Sequence, residues 1–130
     1  MVALLVLGSI TACGSTPTAG CPAPVAATDV SSLPDDLNLT SYGVVVRVQQ
    51  VSGFLSVGVV SARSVSDLAA DLVVDVEKAG YTVLRQDSEG IEADLYLSRG
   101  DRETGAIRVY QTSCQQQVGI DITLSRVRGN

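Results

Sequence analysis

Three cysteines, Cys13, Cys21 and Cys114, are the most nucleophilic side chains of this 130-residue chain, which contains no histidine. A catalytic thiol needs a neighbouring base or cation to form its thiolate at neutral pH, and histidine often supplies it. The absence of histidine removes histidine-dependent catalytic triads, histidine-ligated zinc sites and the usual proton shuttle. A nucleophilic role for Cys114 is therefore disfavoured, and acylation or pairing of the cysteines is the more plausible chemistry.

The residues before Cys13 are typical of a cysteine that is processed and acylated. An uncharged apolar run, residues 2–8, precedes Ile10-Thr11-Ala12-Cys13 and is too short to span a hydrocarbon core of about 30 Å. The last four residues resemble the lipobox of bacterial lipoproteins. The resemblance implies cleavage after Ala12, a diacylglyceryl group on the Cys13 thiol, and a lipid anchor at the extracytoplasmic face of the cell membrane.

Composition divides the chain into three segments. Residues 1–12 are expected to be the signal peptide; because no charge precedes Asp29, its basic start is expected upstream of Met1. Residues 13–32 are small and proline-rich, and we expect the lipidated cysteine and a flexible tether there. Residues 33–130 are expected to form a single globular domain, since about 100 residues suffice for one core and are too few for two.

Cys21 and Cys114 remain as a candidate disulfide if Cys13 carries lipid. An odd number of cysteines in an exported protein needs an explanation, and an oxidising compartment would allow the two to pair. Such a bridge would close a loop of about 90 residues and could stabilise the domain by up to ~4–5 kcal/mol on the chain-entropy model. The alternatives are two free thiols or an intermolecular bridge.

The hydropathy pattern predicts a hairpin followed by one helix. Two segments rich in β-branched residues, 42–48 and 54–60, are expected to pair as the strands of the hairpin. Apolar residues then recur at three- and four-residue spacing, which predicts a helix capped by Ser64 or Ser66 and ended by Gly80.

Three further strands are expected after the helix. The chain leaves the helix through residues 81–85, turns at residues 87–90, and then alternates apolar with polar side chains over residues 91–98, 107–112 and 118–124. The predicted order is ββαβββ. This is an α+β fold of two layers, in which the helix packs on one face of an antiparallel sheet.

Four segments of the predicted domain extend the family resemblance: residues 33–37, 77–83, 89–93 and 111–114. They look like segments of small envelope lipoproteins of actinobacteria, a family without an agreed activity. The resemblance therefore implies a location and a fold, and it implies no catalytic, metal or cofactor site.

The uncovered face of the sheet is the candidate functional surface. Polar and aromatic side chains of three predicted strands should point from it: Glu92, Asp94, Tyr96, Arg108, Tyr110 and Asp121. They could form a platform for a glycan, a peptide or a protein of the cell envelope. The alternative is cross-strand charge pairing on a hydrated face, with each pair worth about 0.2–1 kcal/mol.

A calcium site and a glycosidase site are two further interpretations of the carboxylates, and the sequence supports both less well than a binding surface. Residues 87–92 are rich in oxygen ligands but lack the spacing of a calcium-binding EF-hand loop, so a turn is expected there. Glu92 or Asp94 could serve a glycosidase, but neighbours on one strand poorly match two acids that flank a bond.

Charge excludes nucleic acid as a partner. The chain has 14 acidic and 9 basic residues, a net charge of −5 and no basic cluster, whereas phosphate backbones require cationic contacts. The sequence thus predicts a membrane-anchored extracytoplasmic lipoprotein whose domain binds or supports an envelope partner without catalysis. The alternatives are an envelope or cell-wall hydrolase, which a deep acidic pocket with raised carboxylate pKa values would favour, and a phage-encoded lipoprotein that excludes superinfecting phage.

Overall fold

The computed structural model describes residues 21–101 and 103–126. Its elements, in chain order, are a 3-10 helix, Leu39–Ser41; β1, Val44–Val51; β2, Phe54–Ser61; α1, Val65–Lys78; β3, Thr82–Ser88; β4, Glu92–Arg99; β5, Glu103–Gln111; and β6, Val118–Arg126. The strands form one antiparallel six-stranded sheet in the spatial order β1-β2-β6-β5-β4-β3. Helix α1 packs on this sheet, as the predicted α+β class requires.

The predicted order ββαβββ is wrong by one strand, because the observed order is ββαββββ. The additional strand is β3, which contains most of the segment that we expected to lead out of the helix. It lies at the sheet edge, and its register with β4 shifts between Val83 and Arg85. Since its side chains do not alternate between buried and exposed positions, β3 lacks the period-two pattern that marks an inner strand.

Aliphatic side chains fill the space between helix and sheet. Ile107 lies between Leu95 and Ile122 in the register of β4, β5 and β6, and all three side chains are buried. The helix adds Leu68 and Leu72 to the same core. Because side chains of a strand alternate between its two faces, this core occupies only one face of the sheet.

Helix α1 has the expected cap. The Ser64 side chain accepts a hydrogen bond from the backbone N–H of Asp67 at 3.2 Å, which satisfies a free donor of the first turn. The helix contacts β3, β4 and β5. Residues 33–42 add buried side chains to the core beside β1, and the Tyr42 hydroxyl donates to the Asp75 carboxylate of the helix. Burial and this hydrogen bond raise the pKa of Tyr42.

Arg99, the last residue of β4, connects three segments at one end of the sheet. Its guanidinium donates to the Asp36 carboxylate, to the Ala79 carbonyl oxygen at 3.1 Å and to Glu103 Oε2 at 2.5 Å. It also lies over the Tyr81 ring, 4.3 Å from the centroid. One side chain thereby fixes the segment before β1, the end of the helix and the β4–β5 turn.

Cys21 and Cys114 form a disulfide, as the cysteine count suggested, with their Cα atoms 5.7 Å apart. Two hydrogen bonds hold the residues that follow Cys21: Gln117 Nε2 donates to the Pro22 carbonyl at 3.0 Å, and the Ala27 N–H donates to the Val45 carbonyl at 2.8 Å. We call residues 21–27 the N-terminal strap. The predicted acylation site, Cys13, lies outside the described residues.

Candidate binding surface on the open face of the sheet

The sheet face opposite the core, here called the open face, carries polar side chains from all six strands. One row across the sheet runs, in register, through Arg47, Gly58, Asp121, Arg108, Asp94 and Asp87. Opposite charges therefore stand next to each other in the middle of the row. The six site residues predicted from the sequence all lie on this face, three of them in this row.

The first contact of the row crosses a glycine. Arg47 Nη2 lies 3.4 Å from Asp121 Oδ1, although the two residues belong to strands separated by β2. A Cβ placed on Gly58 would lie only 3.3 Å from the Arg47 Cζ atom, so a side chain at this position would crowd the guanidinium. Both ion-pair partners keep 43% of their side-chain surface exposed. The pair is thus accessible to a ligand.

A second glycine makes room for an aromatic ring. Gly119 lies opposite Tyr110 in the β5–β6 register, and a Cβ placed on it would be 2.4 Å from the Tyr110 Cζ atom. The tyrosine ring therefore lies flat over the glycine. Its burial and the neighbouring Asp121 carboxylate raise the pKa of Tyr110. The Arg108 guanidinium lies 5.7 Å from the ring centroid, within cation–π range.

Asp94 is a carboxylate of the open face whose ionised form is disfavoured by its surroundings. Burial, followed by the charge of Glu92, raises the pKa of Asp94, and the Arg108 charge opposes this rise. Although Arg108 lies opposite Asp94 in register, it forms an ion pair with Glu92, with Nη2 2.7 Å from Oε1. The open face therefore holds a carboxylate whose ionised form would gain from an additional donor.

Two shallow depressions lie on the open face. The first has a volume of about 220 Å³, and its lining includes Ala106, which lies between Tyr96 and Thr123 in register; Asp94, Arg108 and Asp121 also line it. Tyr96 is 43% exposed, and the Arg85 guanidinium lies 5.9 Å from its ring centroid. The small side chain of Ala106 leaves space for a ligand group to rest between the aromatic ring and the charged row.

The second depression has a volume of about 340 Å³ and lies at the β3–β4 end, lined by Arg85, Asp87, Ser88, Glu89, Glu92 and Asp94. These residues include most of the oxygen-rich segment 87–92, which comprises the end of β3, the turn at residues 89–91 and the first residue of β4. The Glu89 N–H donates to the Glu92 carbonyl at 2.8 Å, and Gly90 has a φ of 63°. Among residues 21–101 and 103–126, no group of three or more histidine, cysteine, aspartate or glutamate side chains could hold a metal ion.

No protein-family model and no curated protein matches the chain. Within the described part of the chain, no helix has both the length and the apolar character needed to cross a bilayer.

Sequence reasoning missed three contributors to this surface. The β-branched composition around Arg47 predicts an uninterrupted strand, but the register with β2 shifts between Val45 and Arg47, and this shift determines the face on which the arginine lies. The roles of Gly58 and Gly119 depend on which residue lies opposite each of them. A small residue inside a strand was the only signal that the sequence offered for those two positions.

Proposed function

We propose that the protein is a lipid-anchored, extracytoplasmic binding module that uses the open face of its sheet to hold a polar partner of the cell envelope. The observation that carries the proposal is the organised row of charges and aromatic rings on that face. The binding itself is non-enzymatic, and the fold serves to keep these side chains in place.

The anchor is supported by two features of the N-terminal part. The lipobox-like residues before Cys13 provide an acylation site. The disulfide between Cys21 and Cys114 is of the kind that persists in oxidising compartments, which agrees with export. Because the strap begins eight residues after Cys13, lipid attachment would keep the domain close to the membrane surface.

Three features of the open face favour binding over mere hydration. Gly58 and Gly119 leave the space that the Arg47 and Tyr110 side chains occupy, so these two groups are held flat on the sheet. Tyr96 exposes 43% of its surface next to a depression. The raised pKa of Asp94 shows that its ionised form is disfavoured, and a hydrogen-bond donor of a bound partner would stabilise that form. Simple hydration requires none of these arrangements.

The charges of the face indicate the chemistry of the partner. Arg47, Arg85 and Arg108 stand among four carboxylates, those of Asp87, Glu92, Asp94 and Asp121. Donors and acceptors are therefore offered side by side, which suits a partner with polar groups of both kinds, such as a glycan, a peptide or a protein surface. A polyanion finds no continuous cationic strip here.

The anchor is tested by the intact mass of the protein extracted from membranes of the organism that produces it. We expect a mass that corresponds to cleavage before Cys13 plus a diacylglyceryl group, and a loss of two hydrogens' mass on formation of the disulfide. The Cys13→Ser variant should carry no lipid. A full-length, unmodified chain in the soluble fraction would contradict the anchor.

The binding face is tested with a photo-reactive amino acid in place of Tyr96. On irradiation of intact cells, we expect a reproducible adduct that disappears when Arg108→Ala is added. The matched control carries the same group at Leu84, which is 65% exposed on the edge strand β3. The proposal would be contradicted if positions 96 and 84 gave equal amounts of adduct. It would also be contradicted if Arg108→Ala left the adduct at position 96 unchanged.

The hydrolase alternative draws on one observation, the raised pKa of Asp94 beside the acidic depression. Glu92 and Asp94, however, lie two residues apart on one strand and do not stand on two sides of a cleft. Paired glycosidase acids lie about 5–9.5 Å apart with the scissile bond between them. If cell-wall hydrolysis by the purified protein is found and is lost in both Asp94→Asn and Glu92→Gln, this alternative replaces binding as the function.

A further inference from the structure

Within residues 21–101 and 103–126, the outer edge of β1 presents backbone groups that no other strand pairs, and they follow a defined pattern. Ser52 and Gly53 have φ values of 48° and 84°, so they form a two-residue turn, and the flanking Val51 and Phe54 exchange hydrogen bonds across it. Since hydrogen-bonded positions alternate along an antiparallel pair, the N–H and C=O groups of Val48 and Gln50 point away from β2.

One part of this edge is already occupied. Beyond the register shift, the Val45 carbonyl also points outward, and it accepts the hydrogen bond from Ala27 of the N-terminal strap. In the described part of the chain, that is the only backbone hydrogen bond between the strap and β1. The free edge therefore extends from the end of the strap contact to the β1–β2 turn.

The free edge of β1 is less protected against association with another strand than the opposite sheet edge, which β3 forms. Edge strands usually avoid association through bulges and charges. On β3, the irregularity between Val83 and Arg85 and the Arg85–Asp87 ion pair, with Nε 2.8 Å from Oδ2, serve this purpose. The free part of β1 has one charge, Arg47, whose guanidinium is turned back over Gly58 toward the sheet interior.

We propose that two copies of the chain pair through their β1 edges, antiparallel and around a twofold axis at Gln49, to form a continuous twelve-stranded sheet. In this register Val48 of each copy faces Gln50 of the other. The outward N–H and C=O groups of both residues then form four hydrogen bonds across the axis. The two open faces become one surface.

Neighbouring twofold registers fit less well. An axis at Val48 would place Gln50 opposite the irregularity at Val46, and an axis at Gln50 would place Val48 opposite Ser52 in the turn. In either register, the outward N–H and C=O groups of one residue in each copy have no partner in a regular strand. The axis at Gln49 is therefore the one that pairs both outward residues of each copy.

The proposed register also matches the surroundings of the free edge. It places Val45 opposite Gly53 of the second copy, so the partner strand ends where the strap contact begins. Arg47 falls opposite Val51, which is 63% exposed in the single chain, and its aliphatic stem can cover that apolar side chain. Like charges do not face each other across the axis.

The size of the contact indicates a weak dimer. A few residues of one strand on each side are far fewer than the roughly 20–30 residues a side of a standard interface. Association is therefore expected at high concentration, and confinement of anchored copies to one membrane would favour it further. Only that last point rests on the proposed lipid anchor; the pairing itself can be tested on the unlipidated chain.

The register is tested by cross-linking in the unlipidated Cys13→Ser chain. Residues opposite each other at a non-hydrogen-bonded position have Cα atoms about 4.5 Å apart, within the range that a disulfide bridges. Gln49→Cys should therefore give a covalent dimer on mild oxidation. The control is Ser56→Cys, since Ser56 lies opposite Gln49 within one chain, one strand away from the axis. Equal cross-linking of both variants would overturn the register.

The edge itself is tested by sedimentation of the same chain over a range of concentrations. Gln50→Pro removes an outward N–H, which an edge strand tolerates, whereas Gln50→Ala keeps it. The loss of two hydrogen bonds per dimer should weaken association about tenfold in the proline variant only. A monomer at every concentration, together with no Gln49→Cys dimer, would overturn the proposal, and so would a ladder of larger species.

Discussion

The two faces of the sheet are made from alternate residues of the same strands, yet they differ in how their side chains are held. On the covered face, Leu95 and Ile107 are almost fully buried and need only fill volume. On the open face, their chain neighbours Tyr96 and Arg108 stay exposed and are positioned by charges, rings and glycines. Side chains that stabilise the core and side chains that stay available to a partner thus alternate residue by residue along one strand.

The largest effect expected from this comparison concerns neighbouring residues of β4. Leu95→Ala should lower the free energy of unfolding by about 3–5 kcal/mol, because it leaves a cavity in the core. Tyr96→Ala should lower it by less than about 1 kcal/mol, since the ring is half solvated. Urea denaturation of both variants measures the difference. If both variants lost a similar amount of unfolding free energy, the side chains of the open face would also contribute strongly to the stability of the fold.

The disulfide is expected to come next, because it closes a loop across most of the domain. The sequence separation of Cys21 and Cys114 is 93 residues. Replacing both with alanine should lower the free energy of unfolding by about 2–4 kcal/mol. The amides of the open face should keep their NMR chemical shifts in the folded variant, apart from those near the β5–β6 loop. If the chemical shifts of amides over the whole open face changed, the structure of that face would depend on the disulfide and the strap.

A smaller effect is expected within the open face, at Gly119. Gly119→Ala would force its Cβ into the Tyr110 ring, at a cost of about 1–3 kcal/mol in unfolding free energy. In a Tyr110→Ala background the same change should cost much less, since the ring is no longer there. A double-mutant cycle by thermal unfolding measures this coupling. Additive effects would show that the ring does not depend on the glycine.

The smallest effect expected is the pH dependence of Asp94. Its pKa is raised in the folded state, so the folded protein favours the protonated form, and stability from this group is lost as pH rises through the folded pKa. Asp94→Asn should therefore raise the Tm at pH 7. The gain should shrink toward zero below the unfolded pKa of about 3.9, where the carboxyl is protonated in both states. An unchanged gain at low pH would contradict the electrostatic cause.

Much of the covered face follows from local pattern. Strict alternation predicted β4, β5 and β6, and the spacing of apolar residues with a serine cap predicted α1. These signals are local because every second or every third to fourth residue must face the core. The edge strand β3 gave no such signal, since one of its sides pairs with no other strand in the described sheet.

The open face was predictable only in part. Alternation placed six site residues on it, including Asp94 and Arg108. Their partners were not predictable, because the contacts of Arg47 with Gly58 and of Tyr110 with Gly119 depend on the register between separate strands. The Arg99 cluster was missed for the same reason: its contact with Asp36 spans 63 residues of sequence. Local composition carries no information on such pairings.

Carboxyl labelling tests the central claim, that the open face is the surface a partner covers in the envelope. A carbodiimide and an amine tag would modify the protein in intact envelopes and in isolated form, with mass spectrometry reading each site. We predict that Asp94 and Asp121 are protected in envelopes, whereas Asp67 and Glu77 on the exposed side of α1 label equally in both. Equal labelling of all four carboxyls in both preparations would contradict the claim.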